Sequence, residues 1–74
     1  MNDKLLEILA ETLETDVSQL HPDTDFRAHA RWDSLAALTL VTAVEDDFGV
    51  MLTDRDLRDA DSIAALAQRI QAKK

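Results

Sequence analysis

The sequence predicts a small all-α fold, a bundle of three main helices plus one short helix, with a long loop between the first and second helices. Three observations predict it. Apolar residues recur at spacings of three and four in three separate stretches, while nothing alternates with period two over a useful length. The 74 residues are 46% hydrophobic, enough for one core and too few for two. There is no cysteine, so helix packing has to do what a disulfide or thiolate-metal framework does in other small chains. Residues 1–74 are expected to form a single domain.

The first helix is expected over residues 4–14. Leu5, Leu6, Ile8, Leu9 and Leu13 make one face, Glu7, Glu11 and Glu14 the other, with Asn2 or Asp3 near the cap. From Thr15 to Trp32 the periodicity fails. Pro22 and the cluster Asp23-Thr24-Asp25 mark a long ordered loop, with Val17, Leu20 and Phe26 as anchors to the core. A loop of that length in so small a domain points to function. The second helix runs from about Ser34 to Asp47, with Ala37, Val41 (or Leu40), Val44 and Phe48 facing inward. Gly49 supplies its left-handed stop. After the apolar connector Val50-Met51-Leu52, the stretch Thr53-Asp54-Arg55-Asp56 reads as a capping box with a shortened acid, opening a brief helix to about Arg58. Asp61-Ser62 caps a last helix bearing Ile63, Leu66, Ala67 and Ile70.

The formal charge of −7 argues against a nucleic-acid partner, whose phosphates would be repelled. No apolar run approaches a membrane span, the N-terminus lacks a signal-peptide layout, and a cysteine-free chain suits the cytoplasm. Charge is unevenly spread. Residues 1–26 hold seven acids against Lys4, and residues 45–61 hold seven against Arg55 and Arg58. Between them, residues 27–44 hold Arg27, Arg31 and only Asp33.

That neutral stretch contains Asp33-Ser34-Leu35, a serine hydroxyl at the start of a helix. Backbone N–H groups and the helix dipole favour an anion there, which suits a covalently attached phosphate. Either Asp33 or Ser34 can serve as the N-cap. A hydrolase built on Ser34 would need His21 or His29 within reach and an oxyanion hole, and no Gly-x-Ser-x-Gly elbow is present. Asp54-x-Asp56 and Asp59-x-Asp61 lack the glycine and terminal Glu of a calcium loop and read as solvated acidic surface. No catalytic residue and no metal ligand is assigned.

Taken together, the long loop with Asp25-Phe26, the triplet Asp33-Ser34-Leu35, the block Glu45-Asp46-Asp47-Phe48-Gly49-Val50 and the last helix from Ile63 resemble an acyl carrier protein over essentially the whole chain. The triplet alone is weak; placed eleven residues before that acidic block it is specific. The resemblance implies 4′-phosphopantetheine on Ser34, flanked by Asp33 and Leu35, with acyl groups held as thioesters on its thiol. It implies a phosphopantetheinyl transferase using coenzyme A and magnesium, then acyl-loading and acyl-transferring enzymes of fatty-acid, polyketide or related specialised biosynthesis. It also implies a monomer that is not itself an enzyme. A carrier-like helical interaction module without a prosthetic group is the alternative.

Three positions depart from the family pattern. Trp32 stands where a small residue is usual, Ala36 and Thr39 where acids are common, and Arg27, His29 and Arg31 in a loop that is more often acidic. These leave the attachment intact and set a dedicated carrier of a specialised pathway beside the housekeeping fatty-acid synthase carrier as the two alternatives. The Gly-Gly-His of peptidyl carriers is absent before the serine, which favours acyl cargo. On the second helix Leu35, Leu38, Thr42 and Glu45 fall on one stripe away from the core stripe, with Asp46 beside its end. Leu35 and Leu38 are expected to be partly exposed, and the group to meet partner enzymes. By the same resemblance, cargo shelters between the second and third helices, in a lining drawn from Val41, Val44, Met51, Leu57 and Ile63, with small or flexible residues such as Ala37 and Met51 letting the core part around it.

Overall fold

The computed structural model describes residues 3–74. Four helices appear in order: α1 (Asp3–Thr12), α2 (Ser34–Phe48), α3 (Asp54–Asp59) and α4 (Ile63–Lys73), with no strand among the described residues. Asn2, one of the two cap candidates of α1, lies outside them. No helix among the described residues is long and apolar enough to cross a membrane.

The spacing of the leucines explains α1. Leu5, Ile8, Leu9 and Leu13 lie on one inward stripe and are buried. The helix stops two residues before the expected position. Glu14 adopts a left-handed φ of 53°, and the Thr15 N–H returns to the Ala10 carbonyl at 2.9 Å, the wrapped ending that glycine usually makes. Polar groups organise the loop that follows. Asp16 and Asp25 each cap a single 3₁₀ turn, Val17–Gln19 and Phe26–Ala28, by accepting the N–H two residues on. Leu20 and Phe26 anchor the loop as expected, but Val17 does not, being 40% exposed on the first turn. The loop also satisfies the start of α4: the Thr24 and Pro22 carbonyls accept the Ile63 and Ala64 N–H groups at 2.9 Å each.

The inward stripe of α2 is Ala36, Leu40 and Val44, so Leu40 is the member that belongs to it. Ala37, Val41 and Phe48, expected inside, sit half-buried at its edge. Gly49 closes the helix in the left-handed conformation, φ 67° and ψ 25°. Phe26, Leu5, Leu9, Leu13, Leu40, Ile63 and Leu66 form the centre of the core. Each contributes roughly 1.5–3 kcal/mol by leaving water.

Thr53 and Asp56 make a complete capping box at the head of α3, the carboxylate accepting the Thr53 N–H at 2.9 Å. Ser62, through its hydroxyl, caps α4 at the Ala65 N–H, 3.1 Å away.

Candidate functional site

Asp33 is the N-cap of α2. Its backbone is extended and its carboxylate accepts the Ala36 N–H at 2.8 Å, while its carbonyl takes the Ala37 N–H at 3.0 Å. Ser34 is therefore the first helical residue. Its side chain is exposed, and its hydroxyl is left out of the capping that Asp33 performs. The Ser34 and Leu35 N–H groups are among the helix-start donors that no carbonyl of the helix can reach. A primary hydroxyl beside free donors and the positive end of a dipole can bear a phosphodiester and stabilise its charge.

The basic residues before the serine are engaged within the chain. Arg27 is held at both ends of its guanidinium: Nε pairs with Asp25 at 3.2 Å, and Nη1 donates to the carbonyls of Leu57, at 3.4 Å, and Arg58. It thus ties the loop to the tail of α3. The Arg27 side chain, hydrogen-bonded to Asp25, holds that carboxyl below its ordinary value. Arg31 pairs with Glu14 at 2.7 Å, and its N–H donates to His29 Nδ1 at 3.0 Å. The His21 N–H donates to the Thr24 hydroxyl. Neither histidine contacts Ser34 through these bonds. Trp32 is half-buried with its indole edge-to-face against Phe26, centroids 5.2 Å apart at 77°.

On the outer side of α2, Leu35 and Leu38 are 70% and 62% exposed, and Thr42, Glu45 and Asp46 are exposed further along. Two exposed leucines therefore follow the serine on the helix, and the two acids lie about three turns further along. Asp47, next to them, is drawn towards Lys4 of α1 at 3.9 Å.

Clefts lie on both sides of the α2 N-terminus. One of about 550 Å³ is lined by the end of α1, Ala30, Arg31, Asp33, Leu35, Ala36 and Thr39. On the α3 side, a cleft of about 300 Å³ is lined by Ser34, Ala37, Leu38, Val41, Leu52, Asp54 and Leu57. It shares Ala37, Asp54 and Leu57 with a neighbour of about 290 Å³ that adds Arg27, Trp32 and Arg58. The expected cargo lining is thus corrected. Ala37, Val41 and Leu57 line this trough, but Val44 and Ile63 lie in the sealed core and Met51 is exposed. Leu52 stands where Met51 was expected.

Asp56 corrects the reading of the α3 acids as solvated surface. It is 5% exposed and receives Arg69 at 3.1 Å and Lys73 at 3.0 Å in addition to Thr53. Burial pushes its carboxyl up, but the bonds from the Thr53 N–H, Lys73, the Thr53 hydroxyl and Arg69 outweigh it, and the pKa falls to about 2. Asp59 is half-exposed and shares Arg69. Among the described residues no three His, Asp or Glu side chains converge on a metal-sized site. Two features escape sequence reading: the Arg27 tie and the Asp56 cluster. The Asp25–Arg27 spacing hints at the first, and the capping box at one arm of the second.

A phosphopantetheine attachment site family matches residues 3–70. The chain is 31% identical over 72 residues to an acyl carrier protein of Solidesulfovibrio magneticus, covering 97% of this chain and 92% of that protein. It is 30% identical over 71 residues to polyketide-8 synthase acyl carrier protein 2 of Streptomyces avermitilis, covering 96% and 82%. It is 33% identical over 69 residues to the acyl carrier protein MbtL of a Mycobacterium species, covering 93% and 78%.

Proposed function

The chain belongs to the acyl carrier protein family, and we propose that Ser34 is the residue to which its covalent 4′-phosphopantetheine is attached. As a phosphopantetheine-bearing acyl carrier it is a member of a family that presents substrates and does not itself catalyse. The observation that supports Ser34 is its hydroxyl: exposed, at the first helical position, and spared from capping by Asp33. The arm supplies a terminal thiol on which acyl groups are held as thioesters. Asp33 fixes the serine by closing the first turn, and the Ser34 and Leu35 N–H groups at the helix start would be the donors for a phosphate carried there.

The phosphopantetheinyl transferase, then the acyl-loading and acyl-transferring enzymes, dock on the α2 stripe. Leu35 and Leu38 make an apolar contact beside the serine, and Thr42, Glu45 and Asp46 a polar one further along. The protein works as a cytoplasmic monomer of one domain. Its route is a specialised one, in keeping with the polyketide synthase carrier among its relatives and with the loss of acids at Ala36 and Thr39. Acyl chains shelter in the α2–α3 trough, which opens at Ser34.

Intact-protein mass after incubation with a broad-specificity transferase and coenzyme A tests the assignment. Wild type gains one arm; Ser34→Ala gains none and stays folded, because Asp33 still caps α2. An Ala variant that still gained the arm would move the site elsewhere. A wild type that never did would leave a helical interaction module without a prosthetic group.

A further inference from the structure

The roomier of the clefts beside the α2 N-terminus, about 550 Å³, lies on the α1 side, away from α3. Glu11 and Glu14 border it from the end of α1, Arg31 and Asp33 from the loop, and Leu35 from α2. Its charge is uneven. Three carboxylates share it with one guanidinium, and Arg31 is already paired with Glu14 at 2.7 Å. The α2 wall adds Ala36 and Thr39, neither of them charged. Leu35 is 70% exposed and belongs both to this cleft and to the leucine stripe of α2.

Fold stability does not account for Glu14. Its φ of 53° is left-handed, a conformation that disfavours any side chain, and its pair with Arg31 is 64% exposed on both sides and returns little. A residue held against its backbone preference points to a use for its side chain. A transferase brings the diphosphate of coenzyme A up to the Ser34 hydroxyl, so it has to carry cations at that point. On the neighbouring turn of α2 those cations find no acid at Ala36 or Thr39. The cleft supplies Glu11, Glu14 and Asp33, and Asp33 is engaged as the cap of α2. We propose that this cleft is a docking site for the phosphopantetheinyl transferase, which lays a lysine or arginine against Glu11 and Glu14 and an apolar side chain on Leu35. The inference rests on the carrier reading above and adds an α1-side contact to it.

The test measures initial rates of loading by the broad-specificity transferase, at saturating coenzyme A, against the concentration of apo carrier. Wild type, Glu14→Gln, Glu14→Gly and Glu7→Gln are compared. Glu7, paired with Lys4 on α1 and outside the cleft, controls for the lost charge. Both Glu14 variants should raise KM about fivefold, the upper range for one exposed ion pair, with kcat close to wild type. Glu14→Gly should do so while its unfolding midpoint rises, a split that a merely structural role cannot give. Glu7→Gln should load as wild type does. A wild-type KM in either Glu14 variant overturns the proposal. An equal rise in Glu7→Gln overturns it too, since it would report net charge acting at long range. In each of those cases the mass of the product still shows one arm, and the carrier assignment holds. Failure of wild type to load at all overturns both.

Discussion

The two edges of the short helix α3 are built on opposite terms. Towards α4 it presents Asp56, buried and satisfied by Thr53, Arg69 and Lys73. Towards α2 it presents Leu57 and Asp54 to an open trough that begins at Ser34. A helix of six residues cannot hold itself together in water, since nucleation costs more than so few turns return. Strong polar ties along one edge, with Arg27 at the tail, let the other edge stay unfilled. The comparison teaches that an open cleft beside Ser34 is kept by over-securing the far side of the helix that borders it.

Breaking the secured edge should have the largest effect. Asp56→Ala removes the acceptor of two cations and half of a capping box, and should cost about 3 kcal/mol in denaturant unfolding. Loading at Ser34 should survive, because Asp33 and α2 are untouched. A loss below about 1 kcal/mol would show that α3 is held elsewhere. The same edge sets an acid limit. The Asp56 carboxyl titrates near 2 in the folded chain against an ordinary 3.8, so its contribution of about 2 kcal/mol is present at neutral pH. It is lost as pH falls from about 4 towards 2. Asp56→Asn should flatten the fall of stability across that window, and an unchanged slope would assign the acid sensitivity to other carboxylates.

The open edge and its flanking leucines predict smaller, functional effects. Leu38→Asp should weaken binding of a holo protein to a cognate enzyme about tenfold, and Glu45→Lys by less. Salt should matter less than for a carrier with acids along the whole helix, since fewer ion pairs are screened. Titrations of both variants at low and high ionic strength decide it. Equal affinity of Leu38→Asp and wild type, or complete loss of binding in salt, would place recognition in the acids alone.

The smallest effect contrasts two helix endings. Gly49 takes its left-handed turn freely, whereas Glu14 takes the same turn against its side chain. Glu14→Gly should stabilise by up to about 1 kcal/mol, since the exposed pair with Arg31 returns little. Unfolding midpoints that fall instead would give that pair more weight than its exposure suggests.

Much of this was legible in the chain. The helix order, the Gly49 stop, the Thr53–Asp56 box and the exposure of Leu35 and Leu38 follow from local spacing, whereas the choice of Ser34 as candidate rests on the family resemblance. What spacing could not give depends on contacts far apart in sequence. Arg27 reaches carbonyls thirty and thirty-one positions away, and Arg69 meets Asp56 across a loop. The core stripe of α2 is turned by one position, from Ala37 and Val41 to Ala36 and Leu40, because each pair is alike in apolar character and periodicity alone cannot choose between them. Val17 failed as an anchor because its turn is capped by Asp16, which leaves that side chain on the outside.

Ala36 carries one more consequence. It is 5% exposed, at a position where related carriers often keep an acid. A carboxylate grafted there would lose most of its water, at a cost of several kcal/mol unless it stayed protonated or the helix end gave way. Thr39, exposed, would accept the same graft without penalty. Copying acids one for one onto α2 therefore meets a penalty at Ala36 that it does not meet at Thr39. How α2 is seated, and not its surface alone, thus limits where along the helix a charge can be carried.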